Sequence, residues 1–246
     1  MVTAAPQDQW RLLDVQDLDT KLTQLAHRGR TLPEHAEVER LAARLAALAD
    51  ETVSARSRAG DHARELAKAE ADVEVVRQRS GRNRARLDAG QGSPKDLQAL
   101  QHEIESLAHR QAVLEDAELE VMERLEAAEG RVSALQVERE RAGAEHAEVV
   151  ARRDTALAAI DDEAAGVRRG RDNAAAGIPA ELLALYEKIR TSSGTGAARI
   201  RGRRCEGCRI ELTAVDLGRI RTAAEDTVLR CEECSRILVR TPDSGL

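Results

Sequence analysis

Four cysteines carry the clearest chemical signal in this chain of 246 residues. They form two Cys-x-x-Cys pairs, Cys205 with Cys208 and Cys231 with Cys234, separated by 22 residues. A tight turn of this kind places two thiolates on adjacent vertices of a tetrahedron, and two such turns complete a four-cysteine site. The spacing therefore predicts one structural Zn²⁺ bound by all four cysteines.

Three other interpretations of the cysteines fit the sequence less well. A thioredoxin-like redox motif belongs beside a βαβ pattern, which is absent here. Two disulfides would need an oxidising compartment, whereas the first ten residues, MVTAAPQDQW, lack the basic and apolar regions of a signal peptide. A catalytic zinc keeps one position open for water, and four cysteine ligands leave none.

The segments around the cysteines predict a small zinc ribbon with a helical insert. Strand-like segments flank both pairs, and residues 214–221 between the pairs are typical of a short helix. Because Zn²⁺ with four thiolates has a charge of −2, nearby cations would stabilise the site. Four arginines lie close to the ligands in sequence: Arg204, Arg209, Arg230 and Arg236.

The rest of the chain has the composition and periodicity of long helices. Hydrophobic residues make up 42%, charged residues 33% and aromatic residues 1%, which disfavours a wide globular core or an aromatic-lined enzyme pocket. When the sequence is read in alternating steps of three and four residues, as in a heptad repeat, about 15 of the 21 positions from Leu97 to Val167 are apolar. The same reading from Val38 to Leu87 gives about 11 apolar positions of 15. A shorter stripe runs from Val15 to Leu25.

Local breaks divide these stripes into three helices, predicted at 7–29, 34–88 and 95–175. Gly29 is expected to cap the first helix and Thr31 to begin the second, whereas Ser93 and Pro94 begin the third after a Gly-rich loop. A short loop makes the two long helices antiparallel neighbours. The register stays open, since one pairing sets Glu118 opposite His62 and another does not.

The predicted fold class is mainly α: a long antiparallel coiled-coil hairpin, kinked near 29–33, followed by a small C-terminal zinc ribbon with β-strands and a short helix. The domains are expected at 1–178 for the hairpin, with its tip near 88–95, at 179–196 for a short helix and flexible linker, and at 197–246 for the ribbon. The linker is expected to keep the two cores separate.

Two clusters of basic residues are candidate binding surfaces. The tip cluster faces only Asp88 and consists of Arg77, Arg79, Arg82, Arg84, Arg86 and Lys95. The ribbon cluster consists of Arg199, Arg201, Arg203 and Arg204, of which the first three would share one face of a strand. Either cluster could be only a solvated face, or it could contact acidic protein or nucleic acid backbone. No aromatic platform for base stacking accompanies them.

The pairing of hairpin and ribbon resembles the bacterial coiled-coil proteins with a C-terminal C4-type zinc-ribbon domain, a family of largely unknown function. The resemblance rests on Ser-Pro-Lys-Asp-Leu-Gln-Ala-Leu-Gln-His-Glu-Ile at 93–104, on the first Cys-x-x-Cys turn, and on Cys-Glu-Glu-Cys-Ser-Arg-Ile-Leu at 231–238. It implies zinc on the four cysteines and an adaptor role with protein partners and, for some members, RNA. Many relatives have Gly where this chain has Ser235.

These observations favour a non-enzymatic zinc-binding adaptor in the cytoplasm that recognises protein partners through the hairpin tip and the ribbon. The alternative hypothesis is an RNA- or DNA-binding regulator that uses the basic ribbon arm and the basic tip. No nucleophile, acid–base or phosphate-loop motif predicts an enzyme or a small-molecule substrate. No apolar run reaches the ~18 residues of a membrane span, so no membrane contact is expected.

Overall fold

The computed structural model describes residues 2–245, which are mostly α-helical with a small sheet near the C-terminus. Helices and strands follow one another in this order: α1 Pro6–Arg30, α2 Pro33–Asp88, α3 Pro94–Ala175, α4 Ala180–Ser193, β1 Ala197–Arg201, β2 Arg204–Cys205, α5 Ala214–Thr222, β3 Leu229–Arg230, β4 Ile237–Val239, and a final 3-10 turn Pro242–Ser244. The mainly helical fold class with a small C-terminal ribbon is confirmed.

The start of α3 confirms the predicted cap. The Ser93 backbone N–H donates to Asp96 Oδ2 at 2.9 Å, and the Asp96 N–H donates back to Ser93 Oγ at 3.3 Å. Pro94 occupies the first helical position, where a missing N–H costs nothing. Gly90 and Gly92 in the preceding loop have positive φ angles of 62° and 134°, which glycine adopts readily.

The break between α1 and α2 differs in detail from the sequence prediction. Gly29 lies inside α1, which continues to Arg30, so the prediction of a left-handed cap at Gly29 is wrong. Thr31 Oγ1 donates back to the carbonyl of His27 at 2.9 Å and does not cap α2. Pro33 explains the break, because a proline disfavours the α conformation of the residue before it.

The chain forms two compact units, one of residues 36–150 and one of residues 1–35 together with 151–246. The ribbon and the ends of the helical region thus share a unit, a different division from the sequence-based domains.

In the unit of residues 36–150, α2 pairs antiparallel with the first part of α3. Residues of the predicted heptad stripes are buried along the seam: Leu41, Leu48, Thr52, Ala55, Val73, Leu100, Val121, Leu135, Ala142 and Val149. Ion pairs cross it at Arg44–Glu138 (3.0 Å) and Arg77–Glu115 (2.6 Å). The contact of Arg77 with Glu115, one turn from Glu118, lies about four helical turns from His62 along α2, which excludes the register with Glu118 opposite His62.

In the other unit, α1, the end of α3, α4 and strands β1 and β4 share one hydrophobic core, and the rest of the ribbon forms a second core with α5. The buried members of the first core include Leu12, Val15, Ala175, Leu182, Tyr186, Ala197, Ile237 and Val239. The ribbon sheet has the strand order β2-β1-β4-β3, with β1 and β4 parallel and the outer pairs antiparallel. Near the N-terminus, Thr3 forms a β-bridge with Thr227, so this segment also joins the ribbon.

The expected flexible linker at residues 191–196 is wrong, because residues 191–193 are the end of α4 and Gly196 is buried against the first core. The Gly196 N–H donates to Gln16 Oε1 at 2.7 Å, and its carbonyl accepts from the Ile237 N–H at 3.0 Å. A Cβ at Gly196 would lie only 2.7 Å from the carbonyl oxygen of Tyr186. Only glycine allows the chain to pass from α4 into β1 this closely.

Candidate metal centre and basic surfaces

The four cysteines lie on two backbone turns that repeat the same hydrogen bonds. In the first turn, the Cys205 N–H donates to the Ile210 carbonyl at 3.1 Å and the Arg209 N–H to the Cys205 carbonyl at 2.7 Å. In the second turn, Cys231 pairs in the same way with Arg236 and Ser235, both at 2.9 Å. Two turns of one shape thus present two cysteines each.

The residue after each pair has a left-handed backbone. Arg209 has a φ of 64° and Ser235 a φ of 60°. This conformation costs an ordinary residue about 1–2 kcal/mol and costs glycine almost nothing. A glycine at either position would adopt this conformation without that cost.

The sulfur positions fit a tetrahedral zinc. The Sγ atoms of all four cysteines lie within 4.8 Å of one another, with Cys205–Cys234 at 3.8 Å and Cys208–Cys231 at 3.9 Å. Zn–S bonds of about 2.3 Å in a tetrahedron require S–S separations of about 3.8 Å. The protein therefore holds one structural zinc, as the cysteine spacing predicts.

The thiols differ in how readily they lose a proton. Burial raises the pKa of Cys205 to about 12 and also raises that of Cys231. Burial acts in the same direction on Cys234, but hydrogen bonds from the Arg236 backbone and side chain and from neighbouring cysteines lower its pKa to about 7. Because zinc binds the thiolates, its binding displaces these protons and is weakened by acid.

At the hairpin tip, two of the predicted basic residues are already paired. Arg77 forms its ion pair with Glu115, and Arg79 Nε donates to Glu103 at 2.8 Å, so the expectation that the cluster faces only Asp88 is wrong. The α2–α3 register, which the sequence left open, brings these glutamates close. The remaining residues are exposed and form no ion pair in the described part of the chain: Arg82, Arg84, Arg86 and Lys95.

The ribbon arginines do not form the predicted row. Arg199 and Arg201 share the exposed face of β1, where Arg199 pairs with Asp17 at 3.5 Å and Arg201 with Glu206 at 3.9 Å. Arg203 lies beyond the strand, in a two-residue turn with Gly202 in which both φ angles are positive. Such a turn closes a tight hairpin, which leads into Arg204 at the start of β2.

A buried polar cluster near the ribbon was not predicted from the sequence. The Tyr186 hydroxyl donates to Asp19 at 2.7 Å and lies 3.2 Å from Gln16 Oε1, and Arg171 bridges Asp19 and Glu187. Burial and the Asp19 carboxylate raise the pKa of Tyr186. These groups satisfy one another and tie α1, α3 and α4 together. The one sequence signal was that Tyr186 is the only tyrosine.

Among the described residues, no helix is both long and apolar enough to cross a membrane.

Comparison with known proteins identifies both parts of the chain. Residues 15–194 match the CT398-like coiled coil hairpin domain, and residues 204–238 match the C4-type zinc ribbon domain. The uncharacterized protein Rv2229c of Mycobacterium tuberculosis is 39% identical over 232 residues, which cover 94% of this chain and 95% of that protein.

Solved structures agree with this assignment. A protein from Mycobacterium smegmatis has a TM-score of 0.86 and 35% identity, covering 97% of this chain and all of that one. CT398 from Chlamydia trachomatis shares the fold, with a TM-score of 0.68, 18% identity and coverage of 96% and 98%. The match over most of the length and the four zinc ligands together show that the chain belongs to the family of CT398-like coiled-coil hairpin proteins with a C4-type zinc ribbon.

Proposed function

We propose that this protein is a non-enzymatic adaptor in the cytoplasm that binds an acidic protein surface with its hairpin tip, while the ribbon provides a second binding module. A helical hairpin with a zinc ribbon fits a scaffold-like protein, and its relatives are coiled-coil proteins rather than members of enzyme families.

The main support is the density of exposed arginines without an ion pair at the tip, where three lie within five residues. Elsewhere on the hairpin such arginines also occur, as at Arg56, Arg58 and Arg139, beside others that are paired. Farther along, arginines pair with glutamates across the seam, as at Arg44–Glu138 and Arg131–Glu51. At the tip, Arg82, Arg84 and Arg86 of α2 are exposed and form no ion pair within residues 2–245, and Arg86 lies near the Asp96 carboxylate of the α3 cap. Below them the Asn83 side chain is buried, and its Nδ2 has no hydrogen-bond partner among the residues that the structure describes. Unpaired guanidinium groups suit carboxylates, which they bind through two parallel hydrogen bonds.

The test is affinity capture from lysate of the native cell. The tip variant changes Arg82, Arg84 and Arg86 to Ser, which removes the unpaired guanidinium groups. The control variant changes three exposed arginines elsewhere on the hairpin, Arg56, Arg58 and Arg139, to Ser. We expect the tip variant to lose most of a bound protein partner and the control to retain it. Equal capture by both variants would show that the tip is only a solvated face.

Nucleic acid binding through the ribbon is the second candidate. Arg201, Arg204 and Arg209 line an open concavity of about 460 Å³ beside Cys205 and Glu206. The −2 charge of the zinc site and the Glu206 carboxylate offset much of this positive charge, which is why we rank the candidate second. Fluorescence anisotropy with generic RNA at two salt concentrations tests it: backbone binding must weaken steeply as salt rises.

A further inference from the structure

A groove of about 770 Å³ lies between the first turns of α1, the end of α5 and the residues after β4. Apolar and polar residues line it in equal number, and the apolar ones include Pro6, Trp10, Ala223 and Pro242. All of these residues belong to the unit that contains the ribbon. Neither the hairpin tip nor the zinc ligands line the groove.

Trp10, the only tryptophan of the chain, is held in place with much of its ring open to solvent. Its side chain is 40% exposed, and its Nε1–H donates to the Arg240 carbonyl at 2.6 Å. This hydrogen bond fixes the ring against the C-terminal segment, so the ring cannot easily turn to cover its own apolar surface. Tryptophan fixed in an open groove is typical of the residues that dominate protein interfaces.

The floor of the groove is rigid because Arg240 holds the end of α5. Its guanidinium donates to five backbone carbonyls at 2.7–3.3 Å, those of Ile220, Ala223, Ala224, Glu225 and Thr227. The groove therefore exists before any ligand arrives, which lowers the entropy cost of binding.

The charges that line the groove favour an anionic ligand. Two arginines, Arg221 and Arg240, face one acidic residue, Glu225. The guanidinium of Arg240 is already hydrogen-bonded to carbonyls at the end of α5. Arg221, in contrast, is exposed and forms no hydrogen bond or ion pair within residues 2–245. Arg221 is thus the free donor next to an apolar wall.

We propose that this groove binds a peptide segment of a partner protein in which an apolar side chain lies next to a carboxylate. The apolar side chain packs on Trp10 and the neighbouring prolines, and the carboxylate accepts two hydrogen bonds from Arg221. A basic segment would be repelled by the two arginines, and a purely polar one would leave the tryptophan uncovered. This surface is additional to the tip and ribbon modules, so its test is independent of theirs.

The single tryptophan makes the test direct, because ligand contact changes its fluorescence. The full chain is titrated with the blocked peptide Ala-Pro-Leu-Glu-Leu-Pro-Ala, with a form carrying Lys in place of Glu, and with a form carrying Ser in place of both Leu. We expect a saturable change with the first peptide and much weaker binding of the other two. Arg221→Glu should weaken binding of the first peptide about tenfold or more, and Arg221→Gln should weaken it less.

Arg169→Glu is the matched control, since Arg169 is an exposed arginine of the same unit outside the groove. This variant should bind the first peptide like the parent. Equal binding of the Lys peptide, unchanged binding by Arg221→Glu, or no saturable signal would each overturn the proposal. A tryptophan signal that changes with protein concentration alone would also overturn it, because a second copy of the chain would then occupy the groove.

Discussion

At the scale of single residues, the identity of the zinc ligands could be predicted, and the ion-pair partners of the arginines at the hairpin tip could not. Cysteine spacing is a local property, so Cys205, Cys208, Cys231 and Cys234 were identifiable from the sequence alone. The partners of Arg77 and Arg79 lie 38 and 24 residues away on another helix. Which glutamates they meet depends on the helix register, which heptad periodicity leaves open.

Ser235 provides a test of backbone strain at the metal site. Ser235→Gly should stabilise the ribbon by about 1 kcal/mol, because glycine adopts the φ of 60° without a steric cost. Since zinc affinity includes the free energy of folding the site, this gain corresponds to about fivefold stronger zinc retention against a chelator.

Ser235→Ala is the control for this substitution, because it removes the hydroxyl and keeps the strained Cβ. It should retain zinc no better than the parent. If alanine gives the same gain as glycine, the side-chain hydroxyl rather than the backbone angle is responsible.

At the scale of elements, helix boundaries set by local chemistry were predictable and tertiary packing was not. The predicted limits 95–175 and the observed Pro94–Ala175 differ by one residue, because a cap and a proline act within a few residues. By contrast, the segment before β1 is rich in Ser, Thr and Gly, which is typical of a linker, yet contacts with Gln16 and Tyr186 fix it. The contact with Gln16 joins residues 180 positions apart, which no local pattern predicts.

The cap of α3 predicts a specific loss of stability at the hairpin tip. Ser93→Ala removes the side-chain acceptor of the Asp96 N–H and should destabilise the unit of residues 36–150 by about 1 kcal/mol in thermal unfolding. Ser106→Ala, at an exposed position inside α3, is the control and should be neutral or slightly stabilising. Equal melting temperatures for the two variants would contradict a role for the cap.

The stability that this cap contributes should depend on pH. Hydrogen bonds from the Ser93 hydroxyl and backbone N–H hold the pKa of Asp96 below its usual value. A carboxyl group with a lowered folded pKa stabilises the folded state above its ordinary pKa, and this contribution is lost as the pH falls through the folded value. The difference in melting temperature between Ser93→Ala and the parent should therefore shrink in acid. A constant difference down to pH ~2 would contradict this account.

At the scale of the whole molecule, the division into compact units does not follow the order of the chain. Part of the ribbon sheet joins the core of α1 and α4, since Ile237 and Val239 lie among the same buried residues as Leu12 and Tyr186, while a second ribbon core includes Leu217 and Ile220 of α5. Sequence patterns show where elements begin and end, but they do not show that the two ends of a chain pack together. That pairing depends on contacts such as Thr3 with Thr227, more than 200 residues apart.

Gly196→Ala tests whether the ribbon is fixed to the helices. An added Cβ would collide with the backbone oxygen and ring of Tyr186, which cannot move without breaking the hydrogen bond to Asp19. We expect a loss of roughly 2–4 kcal/mol in the stability of the unit that contains the ribbon. Gly194→Ala is a milder comparison, because a Cβ there meets open space and only the φ of 76° is strained. A smaller effect at Gly196 than at Gly194 would argue against the close packing.

Zinc removal tests whether the compact unit that contains the ribbon depends on the metal while the unit of residues 36–150 does not. Stripping the metal with a strong chelator, or changing Cys205 to Ser, should unfold the ribbon, because buried thiols without zinc cannot hold the two turns together. Since β1 and β4 contribute to the core around Tyr186, the loss should spread to α1 and α4, whereas residues 36–150 should keep their helices. Hydrogen exchange should thus show faster exchange at 6–30 and 180–239 and unchanged protection at 36–150. Loss confined to 197–239 would instead support a ribbon that is independent of the helices.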